Sequence, residues 1–465
     1  MTRRGFLSAL GAATVAGAAP ESVSLQARVN ARGQASPIPS DFLGLGLEIS
    51  AVATKGLLSA ENQAHVQMVR TISKEGVLRI GGNTADFARW SALGDAAALP
   101  KGTVINQACL NDLTGFLRAT GWKAIWTLNT GTGTEEMAAD EAAAVAHTLD
   151  DRLLCFELGN EPDLFVQAGH RQPGYGYDQY QAEFKQFADA VRRRVPGAPL
   201  AGPAVIDATD WVRSFAHDVP DSRLLTEHYY LSVAADPAAT IGNLLRLDDR
   251  FISVITQLRS IGGSSGIPYR MGELNSFAGG GKPGVSDTFA SALWGLDLMF
   301  TLAAAGGAGI NWETGVNHLG FVSSYSPIFT DPQQNPSARP LYYALLAFRQ
   351  AVGGEMLKVD YDAGNVNIRV HAFRSASGQM WGAIINKDLA ATAELKIEVD
   401  SAVQSAELWP LAAPQADSTS GVTYAGSEVP LSGTWAPSRR QKFFLRGRPV
   451  TATAPPASAV LIAFS

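Results

Sequence analysis

Residues 153–164 read LLCFELGNEPDL, an apolar run that changes abruptly into polar and turn-forming residues. The break falls at Gly159 and Pro162, and an apolar run bounded by Gly and Pro predicts a buried strand that stops sharply. Asn160 and Glu161 stand at this stop, so the strand would end in an amide beside a carboxylate. Chemically active groups stand at the carboxyl ends of strands in (β/α)8 barrels, so the stretch favours that fold.

The same pattern recurs along the chain, because short apolar runs alternate with segments of helical spacing from residue 42 to about residue 350. The runs lie at 42–48, 77–80, 123–131, 153–158, 199–205, 224–230, 269–273 and 309–312. The helical segments lie at 57–75, 110–119, 135–149, 179–194, 210–217, 240–260, 286–305 and 341–351. Strands that alternate with helices form parallel sheets with right-handed crossovers, so eight units predict an α/β fold with a closed (β/α)8 TIM barrel over residues 38–350.

An open, doubly wound sheet is the alternative arrangement of the same elements. Its dinucleotide-binding form needs Gly-x-Gly-x-x-Gly after the first strand, and the chain has only Gly44 and Gly46 there. The GGGK sequence at 279–282 also lacks the spacing of a phosphate loop. The barrel is therefore favoured, and no cofactor is indicated.

Residues 351–465 have a different pattern, in which short runs such as VNIRVHAF and ASAVLIAFS are separated by Gly, Pro, Ser and Asp. This pattern predicts a C-terminal antiparallel β-sandwich. Residues 22–35 also alternate between polar and apolar, and a leftover edge strand tends to pair with a sheet. We therefore expect residues 21–37 to contribute an N-terminal strand to the sandwich.

The first residues have the form of a targeting segment. Arg3 and Arg4 precede an apolar, Ala-rich run from Phe6 to about Ala19, which predicts a twin-arginine export signal over residues 1–20. The run is too short to span a bilayer, and no membrane anchor is indicated. The expected location is therefore outside the cytoplasm, in the periplasm or secreted.

The composition excludes several classes of protein. The 465 residues are 46% hydrophobic and 17% charged with a net charge of −6, which is typical of a globular protein and argues against a nucleic-acid partner. Two cysteines do not make a disulfide framework. The histidines show no His-x-x-x-His spacing, so no metal site is predicted, and His228 and His318 are interpreted as structural or subsite residues. The oligomeric state is not determined by these features.

Two glutamates stand at comparable places in the strand series. Glu161 follows the fourth run and Glu273 ends the seventh, and the ends of parallel strands open onto one rim. A glutamate in a loop is usually a solvated surface charge, but both of these directly follow buried strands and have small or amide neighbours. Hydrolysis of a glycosidic bond needs two carboxyl groups, about 5–5.5 Å apart in retaining enzymes. The pair therefore predicts a glycosidase.

Four motifs in order carry a more specific resemblance. LRIGGNTADF, ELGNEPDLF, TEHYY and GELNSFAGGG resemble glycoside hydrolase family 79, the family of heparanase and bacterial β-glucuronidases. The resemblance extends from about residue 22 to the end of the chain. It implies a (β/α)8 barrel with a β-sandwich, and a substrate that contains β-linked glucuronic acid.

The resemblance also implies roles for individual residues. Glu161 corresponds to the general acid/base and Glu273 to the nucleophile. Asn160 corresponds to the asparagine that hydrogen-bonds the 2-hydroxyl of the sugar. Tyr229, the first tyrosine of HYY, corresponds to the phenol that donates to the nucleophile, and Glu48 corresponds to an acid that binds ring hydroxyls.

Recognition of the uronate carboxylate is the part where the chain departs from the family. Tyr325 corresponds to the tyrosine after the eighth strand that meets this carboxylate, and the amides of Ser323 and Ser324 are candidate donors. Asn83 is expected to line the same rim. Ala278 stands where the family often has a second tyrosine, which weakens carboxylate binding or leaves space for a substituent.

The sequence thus predicts an exo-acting retaining β-glucuronidase that takes a glucuronic-acid-containing carbohydrate. A heparanase-like endo-β-glucuronidase is the alternative within the same chemistry. A carbohydrate-binding barrel without activity is the alternative from another class.

Overall fold

The computed structural model describes residues 22–445 and 449–465, so the predicted export signal at residues 1–20 lies outside the described residues. Eight parallel strands close into a barrel, as the sequence predicts. In chain order the first to eighth barrel strands are Leu43–Glu48, Val77–Gly81, Lys123–Leu128, Leu153–Leu158, Leu200–Ile206, Leu224–Val233, Tyr269–Ala278 and Gly309–Glu313. The eighth strand pairs in parallel with the first, which closes the barrel and removes its edges.

Nine α-helices occur in the described residues and alternate with these strands. They are α1 Gln63–Ile72, α2 Gln107–Thr120, α3 Glu135–Leu149, α4 Tyr177–Arg194, α5 Thr209–Asp218, α6 Ile241–Leu245, α7 Asp249–Ser265, α8 Phe289–Ala304 and α9 Pro340–Phe348. The single helix expected at 240–260 is two helices, because Asp248 caps a second start by accepting from the amide of Phe251. None of the helices in residues 22–445 and 449–465 combines the length and the apolar character that crossing a bilayer requires.

A large, curled and mostly antiparallel sheet forms the second unit of the fold. Its eleven strands are Ser22–Asn30, Ser36–Pro37, Glu355–Tyr361, Ile368–Arg374, Met380–Asn386, Thr392–Val399, Ser405–Ala412, Thr423–Tyr424, Gln441–Phe444, Val450–Ala454 and Ser458–Phe464. The sheet is continuous and encloses its own apolar cluster. The sequence, in contrast, predicts a sandwich of two packed layers.

The N-terminal strand explains this continuity. Ser22–Asn30 pairs in parallel with Thr392–Val399 on one side and antiparallel with Glu355–Tyr361 on the other. It therefore joins two groups of C-terminal strands, which confirms that an N-terminal strand enters this sheet. The exact domain boundaries stay predictions.

Helix α8 is the element between the barrel and the curled sheet. Fourteen of its residues are buried, and it is apolar on nearly all sides, as expected for a helix enclosed by other elements. Asp297 is the exception. Its carboxylate accepts from Lys387 at 2.6 Å and lies 2.9 Å from Nε2 of His371, both of which belong to the sheet unit.

This buried ion pair connects the two units. Burial opposes the charge of Asp297, but Lys387, His371 and Arg369 outweigh it and hold the pKa of the carboxyl far below its ordinary value. A buried charge that loses its partner is strongly destabilising, because the remaining charge stays desolvated.

We expect Asp297→Asn to lower the free energy of unfolding by about 3–5 kcal/mol, because Lys387 would remain buried without its counter-charge. Denaturant unfolding of both proteins at pH 7 measures the difference. Asp221→Asn is the matched control, since Asp221 pairs with Arg192 on the surface and an exposed pair contributes about 0–1 kcal/mol. Equal losses in the two variants would contradict a stabilising role for the buried pair.

Candidate active site

The fourth barrel strand ends in a backbone shape that only certain residues tolerate. Gly159 has a positive φ of 89°, and a Cβ atom there would lie 2.4 Å from Oγ1 of Thr130. Glu161 follows in the left-handed region with φ 51°, and its amide donates to the carbonyl of Ala204. A non-glycine residue in this region is strained, and such strain concentrates at functional sites. The turn directs the carboxylate of Glu161 over the end of the barrel.

The seventh strand places Glu273 by a different device. Met271 pairs with Glu227 and Glu273 pairs with His228, so Gly272 is an extra residue in the seventh strand. Such a bulge re-aims the side chain that follows it. The carboxylate of Glu273 consequently enters the rim at which the fourth strand ends.

The two predicted carboxylates do meet. One oxygen of Glu161, one oxygen of Glu273 and a ring nitrogen of His228 all lie within 4.8 Å of one another. The side chain of Glu161 is 13% exposed and that of Glu273 is 10% exposed, so both are sheltered but reachable. This distance allows both carboxylates to act on one small molecule held between them.

The hydrogen bond to Glu273 corrects the predicted role of Tyr229. The hydroxyl of Tyr230 donates to Oε1 of Glu273 at 2.7 Å, whereas the hydroxyl of Tyr229 donates to Asp248 at the start of α7. The reason is the alternation of side chains along a strand, which puts Tyr230 on the inner face with His228 and Tyr229 on the outer face. Tyr229 is therefore outside the site, and Tyr230 is the residue that the sequence reasoning missed.

Arg79 on the second strand is a further residue that the sequence reasoning missed. Its guanidinium is fully buried and donates to Glu157 at 2.9 Å, to Glu273 at 2.5 Å and to the side-chain oxygen of Asn160 at 2.8 Å. Gly81 makes room for it, since a Cβ there would lie 2.6 Å from the guanidinium carbon. The available signal was one arginine in the middle of an apolar strand.

Asn160, Asn83 and Glu48 form one connected side of the site. Asn160 donates from its side-chain nitrogen to Asn83 at 3.3 Å, while its oxygen is held by Arg79. The carboxylate of Glu48 accepts from the amide and the hydroxyl of Thr84 at 2.7 and 2.6 Å. It also accepts from the amide of Asn83 at 3.2 Å. The structure thus brings these three predicted residues together at the ends of the first, second and fourth strands.

Tyr325 reaches the same region from the loop after the eighth strand. Its ring lies beside that of Tyr230, with centroids 6.2 Å apart, and only 6% of the residue is exposed. The amides of Ser323 and Ser324, however, donate to Asn317 and to the carbonyl of Gly280. The expectation that these two amides face a ligand is wrong, because they hold the loop together instead.

Glu313 ends the eighth strand and adds another buried acid. One of its oxygens accepts from the amide of Gly315 at 2.8 Å, and the other lies 2.6 Å from the position of a Cβ at Gly46. Burial raises its pKa well above the ordinary value, and the charges of Glu273 and Glu48 add to this effect. The surroundings of Glu313 therefore disfavour its charged form.

The direction of the pKa shift at the other acids of the site depends on whether the acid contacts Arg79. Burial raises the pKa of Glu48 to about 7, although the hydrogen bonds from Thr84 oppose the shift. Burial would also raise the pKa of Glu157, but the guanidinium of Arg79 outweighs it and lowers the pKa. Burial and neighbouring acids raise the pKa of Tyr230 and Tyr325, so both phenols stay protonated donors.

The cluster of Glu161, His228 and Glu273 has the spacing of a cation site. Both oxygens of Glu273 are already occupied, one by Arg79 and one by Tyr230. A cation bound there would lie next to a buried guanidinium, which Coulomb repulsion disfavours. The donors around Glu273 fit a carboxylate that reacts as an anion better than a metal ligand.

Fold and site together define a (β/α)8 barrel with a carboxylate pair at the carboxyl ends of its strands, joined to a large second sheet. Solved glycosidases share this architecture. A 4-O-α-L-rhamnosyl-β-D-glucuronidase from Fusarium oxysporum superposes with a TM-score of 0.78, at 17% identity over 95% of this chain and 100% of that one. An α-L-arabinofuranosidase from Thermotoga maritima gives a TM-score of 0.69, at 15% identity over 95% and 100% of the two chains.

Two curated relatives have similar sequences, whereas no protein-family model matches the chain. A β-glucuronidase of Aspergillus niger is 25% identical over 355 residues, which is 69% of this chain and 64% of the relative. A β-glucuronidase of Neurospora crassa is 23% identical over 373 residues, which is 69% of this chain and 65% of the relative. The chain therefore spans slightly less than two thirds of the length of the relatives that it matches.

The buried acids predict how stability depends on pH. Burial raises the pKa of Glu141 to about 7 and that of Asp86 to about 8, whereas both groups would ionise near pH 4 in the unfolded chain. The folded state then binds more protons than the unfolded state between about pH 4 and pH 8, so the free energy of unfolding falls as the pH rises. We expect thermal unfolding to occur at a higher temperature at pH 5.5 than at pH 8.

Glu141→Gln tests how one buried acid, which lies away from the site, contributes to the pH dependence of stability. Glu141 accepts from the indole of Trp126 at 2.8 Å, and glutamine keeps an oxygen for that bond. The variant should gain about 2 kcal/mol over the wild type on going from pH 5 to pH 8, because it has no proton to lose. A difference between the two proteins that stays constant with pH would contradict a raised pKa for Glu141.

Proposed function

We propose that the protein is a retaining glycosidase that cleaves β-linked glucuronic acid from glycans or glycoconjugates, acting at the chain end. The single observation that carries the proposal is the approach of Glu161 and Glu273 to within 4.8 Å. Glu161 follows the fourth strand and Glu273 lies within the seventh. Retaining glycosidases need a short separation, because one carboxylate attacks the sugar directly and no water must fit beside it.

In the first step the carboxylate of Glu273 attacks the anomeric carbon. A C1–O bond to Glu273 forms and the glycosidic C1–O bond breaks, while Glu161 gives its proton to the departing oxygen. Arg79 and Tyr230 each donate to Glu273, so the nucleophile is held as an oriented anion. Asn160 is anchored by the same guanidinium, which fixes the amide that would meet the 2-hydroxyl.

In the second step a water molecule replaces the aglycone. Glu161, now a carboxylate, takes a proton from the water as the water oxygen bonds to C1, and the ester bond to Glu273 breaks. Glu161 regains its proton and Glu273 regains its charge, so both residues return to their starting states. Two inversions at C1 give net retention of the β configuration.

The surroundings of the pair support a uronic acid in the site. Tyr325 is a protonated phenol beside Tyr230, and a phenol makes a charge-assisted hydrogen bond to an anion. Burial disfavours the charge of Glu313, which lowers its repulsion of a carboxylate. Both curated relatives are β-glucuronidases, which supports the same substrate class for this chain.

A second candidate is release of a glucuronic acid that carries a further sugar. Ala278 ends the seventh strand with only a methyl group, where the family often has a tyrosine, and an exposed glycine follows it. The Fusarium oxysporum neighbour acts on a 4-O-rhamnosylated glucuronide. Space for such a substituent is also what an endo-acting enzyme would need.

We expect p-nitrophenyl β-D-glucuronide to be hydrolysed far faster than p-nitrophenyl β-D-glucoside, because the aglycone is the same and only the carboxylate differs. Proton NMR should show the β anomer of glucuronic acid before mutarotation. Glu273→Gln is the control and should abolish turnover. Equal rates on the two substrates would contradict specificity for a uronic acid. An α anomer formed first would contradict the retaining mechanism.

An oligosaccharide with terminal glucuronic acid, with and without a 4-O-α-L-rhamnosyl group, separates the two candidates. Release of free glucuronic acid alone supports the first candidate, an enzyme that cleaves glucuronic acid from the chain end. Release of the disaccharide supports the second candidate, and cuts in mid-chain would replace both by endo action.

The assignment of Tyr230 in place of Tyr229 can be tested by removing each hydroxyl in turn. Tyr230→Phe should lower kcat/KM on the glucuronide by about 10- to 100-fold, because a hydrogen bond to a charged group contributes about 1.5–3 kcal/mol. Tyr229→Phe should stay within about twofold of the wild type, since its hydroxyl donates to Asp248 outside the site. The reverse order of losses would overturn the corrected assignment.

A further inference from the structure

Several buried polar atoms near the site lack a hydrogen-bond partner in the described residues. Three of them border the inner face of Gly272, namely Oε1 of Glu157, Oγ1 of Thr226 and Nε2 of His228. A Cβ at Gly272 would lie 3.3 Å from Oε1 of Glu157, 3.3 Å from Cβ of Thr226 and 3.6 Å from Cδ2 of His228. The absent side chain of Gly272 therefore lets these three groups face one another inside the barrel. Buried polar atoms are normally satisfied, so this arrangement calls for a function.

His228 connects this space to Glu161. Its Nδ1 lies 3.0 Å from Oε1 of Glu161, and the residue is fully buried on the inner face of the sixth strand. Cδ2 of the ring, the carbon next to Nε2, lies 3.6 Å from the position of a Cβ at Gly272, and Oε1 of Glu157 lies 3.3 Å from the same position. The imidazole thus stands between two carboxyl groups, one at the rim of the barrel and one inside it.

Glu157 is the charged end of this arrangement. Its other oxygen accepts from Arg79 at 2.9 Å and from Thr127 at 3.0 Å, and Arg79 also donates to Glu273. Arg79 therefore holds Glu157 as an anion in spite of its burial. Arg79 thus links Glu157 to the nucleophile through hydrogen bonds, while Glu157 and His228 face each other across the space at Gly272 without a hydrogen bond between them.

We propose that His228 is a positioning residue whose tautomer, set by Glu157, keeps the proton on Glu161 until the glycosidic oxygen arrives. The inference rests on the proposed function, because it concerns the acid/base of that reaction. An anion beside Nε2 favours the tautomer with hydrogen on that nitrogen, which leaves a lone pair on Nδ1. Only a protonated Glu161 can donate to this lone pair, and a hydrogen bond to the neutral form of a carboxyl disfavours its ionisation.

The proton balance of the reaction stays unchanged. Glu161 gives its proton to the departing oxygen and takes one from the water, and His228 gains and loses none. The charged or titratable groups that face the imidazole are Glu157 and Glu161 from the fourth strand and its end, Asp163 from the loop after it, and Glu273 from the seventh strand. Burial and Glu161 raise the pKa of Asp163 to about 7, so Glu157 is the firmly ionised neighbour inside the barrel.

The direct test reads the tautomer itself and needs no turnover. Nitrogen-15 NMR of Glu273→Gln protein with labelled histidine, assigned with His228→Asn, should show His228 neutral at pH 7 with hydrogen on Nε2. In Glu157→Gln protein the signal should shift towards the Nδ1–H form, because the anion that selects Nε2–H is gone. A Nδ1–H tautomer in the presence of Glu157, or no response to Glu157→Gln, overturns the proposal.

A kinetic test separates positioning from a merely structural role. His228→Asn should lower kcat/KM on a glucuronide with a poor leaving group by about 10- to 100-fold and move the alkaline limb of its pH profile to lower pH. Hydrolysis of 2,4-dinitrophenyl β-D-glucuronide should change little, because that leaving group needs no proton. Equal losses on both substrates with an unmoved pH limb would overturn the positioning role.

Two controls distinguish the failure of this inference from failure of the proposed function. Wild-type protein that hydrolyses no β-glucuronide rejects the function, while the tautomer measurement still decides the arrangement of His228. Glu161→Ala must show the same dependence on the leaving group, more strongly. If it does not, the acid/base assignment fails and the positioning role of His228 fails with it.

Discussion

The guanidinium of Arg79 is the interaction on which the site depends. It is fully buried, and it donates to Glu157, Glu273 and Asn160, which come from the fourth and seventh strands. Burying an unpaired cation would cost several kcal/mol, so these partners are required for the barrel to close around it. The same contacts fix the orientation of Glu273, one carboxylate of the pair, and of the adjacent amide of Asn160. Stability and site geometry therefore have a common origin in the second strand.

One buried cation does not balance all the acids around it. Glu157 and Glu273 are paired with Arg79, whereas Glu48 and Glu313 are not, and burial raises the pKa of both. Burial disfavours the charge of these unpaired acids, which limits the repulsion that a carboxylate ligand would meet. The same property makes the folded state lose stability as the pH rises, so a site suited to an anion and a preference for mildly acidic conditions arise from one cause.

The sequence predicted the barrel and the meeting of Glu161 and Glu273 because both depend on local signals. Each glutamate follows an apolar run, and parallel strands bring their carboxyl ends to one rim. The role of Arg79 could not be predicted from the sequence, because its partners are 78 and 194 residues away and no local pattern identifies them. The motif resemblance assigns the contact with Glu273 to Tyr229, whereas the alternation of side chains along the strand assigns it to Tyr230. The two differ because a shift of one residue reverses the face of the strand. Export and the domain boundaries stay predictions.

The two glutamates belong to the same residue type but have opposite surroundings, and this difference follows from backbone geometry. The bulge at Gly272 turns Glu273 inward, where Arg79 and Tyr230 donate to both of its oxygens. The left-handed turn at Glu161 carries its carboxylate away from the guanidinium and towards the imidazole of His228. One carboxylate thus lies among hydrogen-bond donors, whereas the other lies beside a ring nitrogen. Gly272 contributes to both arrangements, because it supplies the bulge and also the space between His228 and Glu157.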